Sequence, residues 1–233
     1  MTNKRRVAQR GASRPLNICH FERDYTRTDD SKKRAEVTAN PHGDDLLAGF
    51  FSRSLAALQA TVNDRNFPVL ITAIAKLIEQ SLRGGGKLLI AGNGGSAADA
   101  QHLAAEFLSR FLSERRPLPA IALTTDTSVL TAVGNDYGFD HVFERQVRGL
   151  GNRGDVFLAI STSGRSANIL LALKAARDIG LVNIGFSGAG DSDMRGLCQH
   201  FLAAPSRETA VVQQIHIVAG HAICALVERA LLQ

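Results

Sequence analysis

Residues 91 to 107 read AGNGGSAADAQHLAAEF, and two of their side chains could do chemistry. His102 and Glu106 stand four residues apart. On a helix that spacing puts an imidazole and a carboxylate on one face, about 6 Å apart. Such a pair can hold a metal ion or move protons, although a solvated helix face carries the same pattern. Ahead of the pair lies Gly92-Asn93-Gly94-Gly95-Ser96, whose glycines permit close backbone approach and whose position before a helix offers free N–H groups to an anion. A second polar run, Thr124-Thr125-Asp126-Thr127-Ser128, and a third, Ser161-Thr162-Ser163-Gly164-Arg165-Ser166, each follow a short apolar segment. Hydroxyls and amides of the third could surround a phosphate without a lysine. Near the C-terminus, VVQQIHIVAGHAICALVE sets Gln213, His216 and His221 in an otherwise apolar helical pattern, where polar groups are costly unless they find partners.

Two nucleotide-binding readings compete for the first loop. Residues 92 to 97 satisfy G-x-G-x-x-A, a variant dinucleotide fingerprint. That fingerprint expects an acidic residue about 20 positions on, at the end of the next strand, and Asp126 comes too late for it. A phosphate-binding loop ending in G-K-[ST] is absent from the chain. No nucleotide cofactor is expected.

The elements that must position these residues follow from periodicity. Residues 46 to 62 and 67 to 82 carry apolar side chains at three- and four-residue intervals, predicting two amphipathic helices, and the glycines at 84 to 86 end the second. Short apolar runs then alternate with helical segments: KLLIA (87 to 91), LPAIAL (118 to 123), DVFLAI (155 to 160), VNIGFS (182 to 187) and HFLAA (200 to 204), before a long closing helix at about 208 to 231. Such alternation predicts an α/β fold, a three-layer αβα sandwich around a parallel sheet. In open parallel sheets ligands bind beyond the carboxyl ends of the strands, which is where the three polar loops fall.

Composition narrows the function further. The formal charge of +5 is concentrated at one end: residues 1 to 43 hold 10 of the 27 Lys and Arg and 5 of the 22 Asp and Glu, leaving 17 of each sign in residues 44 to 233. A neutral folded part argues against a nucleic-acid footprint on it. Residues 1 to 43 lack sustained apolar periodicity and have the composition of a disordered, basic extension. Cys19, Cys198 and Cys224 show no C-x-x-C spacing and suggest no disulfide framework. No run reaches the roughly 20 apolar residues of a membrane span. The expectation is a cytoplasmic protein without a membrane partner.

Residues 45 to 233 resemble the phosphoheptose isomerases of the SIS (sugar isomerase) fold, on the strength of GNGGSAADAQHLAAEF, LTTDTSVLTAVGNDYGFDHVF, GDVFLAISTSGRSANI and QQIHIVAGH in that order. The resemblance implies a flavodoxin-like sheet and conversion of D-sedoheptulose 7-phosphate to D-glycero-D-manno-heptose 7-phosphate through an enediol. It implies a zinc ion on His102, Glu106, Gln213 and His221, with Glu106 as base and His221 as acid. Sugar-phosphate contacts would fall on Asn93, Gly94, Gly95, Thr125, Asp126, Ser161, Thr162, Ser163, Ser166 and Gln213, with His102 and Glu106 at the reacting end. It also implies a homotetramer with sites at subunit interfaces. Gln213 and His221 are eight residues apart, about 12 Å along a helix, so either the helix begins after Gln213 or the two ligands meet from different subunits; the second is expected. Two other readings stand beside this one: a noncatalytic SIS protein that binds the bacterial replication initiator, whose relatives lose the carboxylate at the position of Glu106, and a sugar-phosphate-sensing domain whose basic tail touches nucleic acid.

Overall fold

The computed structural model describes residues 41 to 232. The basic extension, and Cys19 within it, falls outside them apart from residues 41 to 43, which open the first helix. Helix α1 (Pro41–Asn63) is followed, after a turn in which the Asp64 carboxylate accepts the Asn66 N–H at 2.9 Å, by α2 (Asn66–Arg83). Then come β1 (Leu88–Gly92), α3 (Gly95–Leu108), β2 (Ala120–Ala122), α4 (Thr127–Asp136), α5 (Glu144–Leu150), β3 (Val156–Ile160), α6 (Ala167–Ile179), β4 (Val182–Ser187), β5 (His200–Ala203) and α7 (Thr209–Leu231).

All pairings are parallel and the strand order is β2-β1-β3-β4-β5, the flavodoxin-like order. The predicted strands therefore form within a residue or two of their expected bounds. Only the second is markedly shorter, as befits an edge strand paired on one side. Because successive strand residues point to opposite faces, Val156, Leu158 and Ile160 join α2, α3 and α7 in one apolar layer while Phe157 and Ala159 join α5 and α6 in the other. Side chains such as Phe157, Ile74 and Ile169 are fully buried, each contributing about 1.5–3 kcal/mol relative to exposure.

Helix α1 is the exception, since it buries Ala57 and Thr61 while Leu46, Leu47, Phe51, Leu55 and Val62 stay exposed. Its apolar stripe gains little from this chain alone. Helix α7 corrects the sequence expectation on membrane spans, because it is long and apolar enough by length and composition to cross a bilayer. Here it is a core helix, packed on α2, α3 and α1 and carrying His216, His221 and Glu228.

The winding direction reverses between β1 and β3, which pair from Leu88↔Val156 to Gly92↔Ile160. Loops leaving their carboxyl ends diverge and open a crevice. That crevice is where the sequence placed two of its three polar runs.

Candidate active site at the carboxyl end of the sheet

A cavity of about 270 Å³ sits at this crevice, lined by Asn93, Gly94, Gly95, Ser96, Ile160, Ser161, Thr162, Ser166, Thr209 and Gln213. Three helices begin at its wall: α3 at Gly95, α6 after its N-cap Ser166 and α7 at Thr209. The first N–H groups of a helix lack internal partners and carry the positive end of its dipole. Their convergence on a cavity with no charged side chain among these lining residues is an arrangement able to take an anion. Glycine is required at two points. Gly94 adopts φ +55°, and a Cβ on Gly95 would collide with the side-chain amide of Gln213. The serines are pre-arranged: Ser161 Oγ lies 3.0 Å from Ser166 Oγ and 3.4 Å from Ser163 Oγ, and Ser163 Oγ accepts the Arg165 N–H at 3.2 Å.

Helices α3 and α7 run side by side in one direction, Gly95 meeting Gln213 at the cavity end and His102 meeting His221 two turns on. Gly220 permits this approach, since a Cβ there would strike the Leu103 side chain at 2.6 Å. His102 Nε2 and His221 Nε2 are 2.8 Å apart, and Glu106 Oε1 is 3.4 Å from His102 Nε2. One donor atom from each of His102, Glu106 and His221 lies within 4.8 Å of the others. Two imidazoles and a carboxylate at this separation are a donor set that fits a borderline divalent cation. Phe111 stacks on His221, centroids 5.4 Å apart and planes 26° apart, walling one side of the group.

Other singled-out residues stand elsewhere. Helix α7 begins at Thr209, so Gln213 is already helical and the alternative of a helix starting after it is excluded. Within the chain Gln213 lines the cavity, its side-chain amide against Gly95. Thr125 and Asp126 line a separate depression of about 470 Å³ beside β2, where Asp126 caps α4 by accepting the Val129 N–H at 3.0 Å. His216 is a core residue: it donates from Nε2 to the Ser187 carbonyl at 3.0 Å, and burial pushes its pKa down to about 4 against that bond.

Four site neighbours escaped the sequence reading. Asn168 and Asn93 exchange reciprocal amide hydrogen bonds of 2.9 and 3.0 Å, tying the loop after β1 to the start of α6. Thr209 lines the cavity. Phe111 lies in a segment without periodicity. Asp99, one turn before His102, has a buried and unpartnered Oδ2; burial pushes its carboxyl pKa up while His102 opposes the shift. Only Asp99 had a local signal, its i, i+3 spacing from His102.

Comparison with known proteins agrees with this geometry. The SIS domain family matches residues 50 to 188. A phosphoheptose isomerase of Bradyrhizobium sp. strain BTAi1 is 56% identical over 194 residues, covering 83% of this chain and 98% of that protein. The phosphoheptose isomerase of Aneurinibacillus thermoaerophilus is 47% identical over 187 residues, 80% of this chain and 94% of its own length. Among solved structures, a phosphoheptose isomerase from Francisella tularensis superposes with a TM-score of 0.77 at 38% identity, covering 80% of this chain and 98% of its own. A fold with the flavodoxin-like strand order, a polar cavity at its switch point and relatives matched nearly end to end place the chain in one family: it belongs to the SIS-domain phosphoheptose isomerases.

Proposed function

We propose that the protein converts D-sedoheptulose 7-phosphate to D-glycero-D-manno-heptose 7-phosphate, the first step of heptose biosynthesis for lipopolysaccharide or capsule. The observation that carries the reading is the gathering of His102, Glu106 and His221, a base, an acid and a possible metal-donor set, in a chain that also forms a polar cavity free of charged side chains. Aldose–ketose isomerisation moves a proton between C1 and C2 through an enediol, which needs a base near carbon and an acid near oxygen. Glu106 takes a proton from C1, exchanges it with solvent and delivers one to C2, and His221 exchanges a proton with the sugar oxygens. Asn93, Gly94, Gly95, Ser161, Thr162, Ser163 and Ser166 hold the phosphate, and Thr125 and Asp126 contact the sugar from the β2 side.

His102, Glu106 and His221 hold a zinc ion in this reading. When bound, zinc polarises the substrate carbonyl and orients the sugar. A carboxylate has two oxygens, so Glu106 can ligate with one and leave the other to the proton. Gln213 is eight residues from His221 on an unbroken helix, about 12 Å, so we place Gln213 of the partner subunit beside this triad. The chain then works as a homotetramer in which one subunit's triad faces a neighbour's cavity. Exposed apolar side chains along α1 supply surface for such assembly. Two free cysteines among the described residues, Cys198 and Cys224, suit the reducing cytoplasm.

Incubation with sedoheptulose 7-phosphate in deuterated water, with and without a chelator, tests the reaction. Aldose product labelled at C2 is expected, and failure to form any aldose with the zinc-loaded protein overturns the reading. Mixing two inactive variants, Glu106→Gln and Gln213→Ala, tests the shared site separately. Reassembled hybrids regain part of the parent turnover if the two residues come from different subunits, and none if they serve the same one.

A further inference from the structure

A buried ion pair outside the cavity ties the reacting groups together. Arg115 and Glu228 have side chains only 5% and 3% exposed, with Arg115 Nε donating to Glu228 Oε2 at 3.0 Å. The guanidinium's other donors go to the end of α3 and the chain just after it: Nη2 to the Glu106 carbonyl at 2.7 Å, and Nη1 to the carbonyls of Phe107 at 2.9 Å, Ser109 at 3.2 Å and Arg116 at 3.1 Å. Glu228 accepts the backbone N–H groups of Phe111 at 2.9 Å and of Leu112 and Ser113 at 2.7 Å each. Its carboxyl pKa is lowered: burial pushes it up, and those three N–H bonds with Arg115 outweigh the burial.

Arg115 caps the carbonyl end of α3, a stabilising role, but helix stability does not explain Glu228. Glu228 stands in the last turn of α7, where the helix dipole disfavours a carboxylate. Replacing a buried pair by apolar side chains is often neutral for stability. The network instead joins the three parts that make the site. It fixes the backbone of Glu106, it is anchored two turns beyond His221 on the same helix, and it holds the N–H of the residue whose ring stacks on His221.

We infer that Arg115 and Glu228 are positioning residues for the reaction: the pair sets the placement of Glu106 against His221 and holds Phe111 over the His221 ring. This rests on the isomerase reading for its kinetic consequence, and on geometry alone for its structural one. A guanidinium fork can cap several carbonyls at once, whereas a lysine ammonium is a single point charge. Arg115→Lys therefore keeps the charge and loses the fork, while Glu228→Gln keeps the shape and loses charge and acceptor capacity.

Both variants are assayed well below their melting temperatures, with rates taken per folded protein. We expect kcat to fall about 10- to 100-fold, the range for removing partners that orient liganding side chains, with KM within about twofold because the phosphate cavity is untouched. A merely structural role lowers the melting temperature and leaves kcat of the folded fraction alone. The chain has no tryptophan, so Phe111→Trp adds a single fluorescent reporter over His221. In the Glu228→Gln background its emission shifts to the red and iodide quenches it more readily. Parent-like kcat in both folded variants, or an indole reporter whose emission and quenching do not move, overturns the inference. If the parent protein turns over no sedoheptulose 7-phosphate, the isomerase reading fails by itself, and the reporter alone decides whether the pair holds Phe111.

Discussion

Polar clusters at the two ends of the sheet are treated in opposite ways. At the foot, where β1 and β3 begin, Asp155 is buried and its oxygens accept Lys87 Nζ at 2.6 Å, the Lys87 N–H at 2.9 Å and the Asn152 N–H at 2.8 Å. Ser81 closes the neighbouring turn by donating to the Gly154 carbonyl at 2.7 Å. Each of these groups has a partner within the chain. At the head, hydroxyls contact one another, three helix starts face an open cavity, and two imidazole nitrogens point at each other across 2.8 Å. Buried polar groups are normally satisfied, so an end that leaves capacity unspent is an end built for something not encoded in the chain. Saturation marks architecture, and spare capacity marks function.

That contrast can be broken by substitution at either end. The largest effect is expected from Glu106→Gln, which should cut turnover by about 10³-fold, within the range for losing a general base. Sugar-phosphate binding by calorimetry and the melting temperature should stay near the parent's; unchanged turnover removes Glu106 from the chemistry. Asp155→Ala should do the reverse, costing about 3 kcal/mol of stability by stranding a buried partner, with kcat intact in chemical-denaturation-matched samples. A fall in kcat there erases the distinction between the ends.

Acid probes the layer beneath the head. His216 has a folded pKa of about 4 against 6.5 in the unfolded chain, so the unfolded state takes up the proton first. The His216 contribution to stability is therefore flat above pH 6.5 and declines as pH falls from 6.5 towards 4, by roughly 3 kcal/mol in all. Urea melts of the parent and of His216→Gln should diverge only in that window. Ser166→Ala is expected to have the smallest effect, about 1.5 kcal/mol for one bond to a charged group, seen as a roughly tenfold rise in KM at unchanged kcat.

Much of the fold was legible in the chain because buried parallel strands are uninterrupted apolar runs, and VFLAI or LLIA can hardly be anything else between glycine-rich turns. His102 and Glu106 were legible because one helix turn brings them together. His221 stood out as a polar residue in an apolar helix, but its meeting with His102 was not legible from spacing, because it needs α3 and α7 packed in parallel, which depends on Gly220 accepting Leu103. Asn168, Arg115 and Glu228 were invisible for the same reason, as their roles arise from neighbours 75 and 113 residues away. Asp126 shows the opposite limit, a residue in a polar loop whose observed contact is a helix cap. The apolar period of α1 correctly announced a helix but could not say that its stripe would remain uncovered within the chain.

The lack of any ionisable side chain among the residues lining the anion cavity has a quiet consequence. Amides and hydroxyls keep the same protonation through the whole range in which cells live, so the grip on a phosphoryl group would vary with acidity only through the ligand's own second ionisation. Whatever bell shape the rate shows against proton concentration would then be written by the far end of the sugar, and the anchor would act as a fixed reference against which the moving protons can be timed.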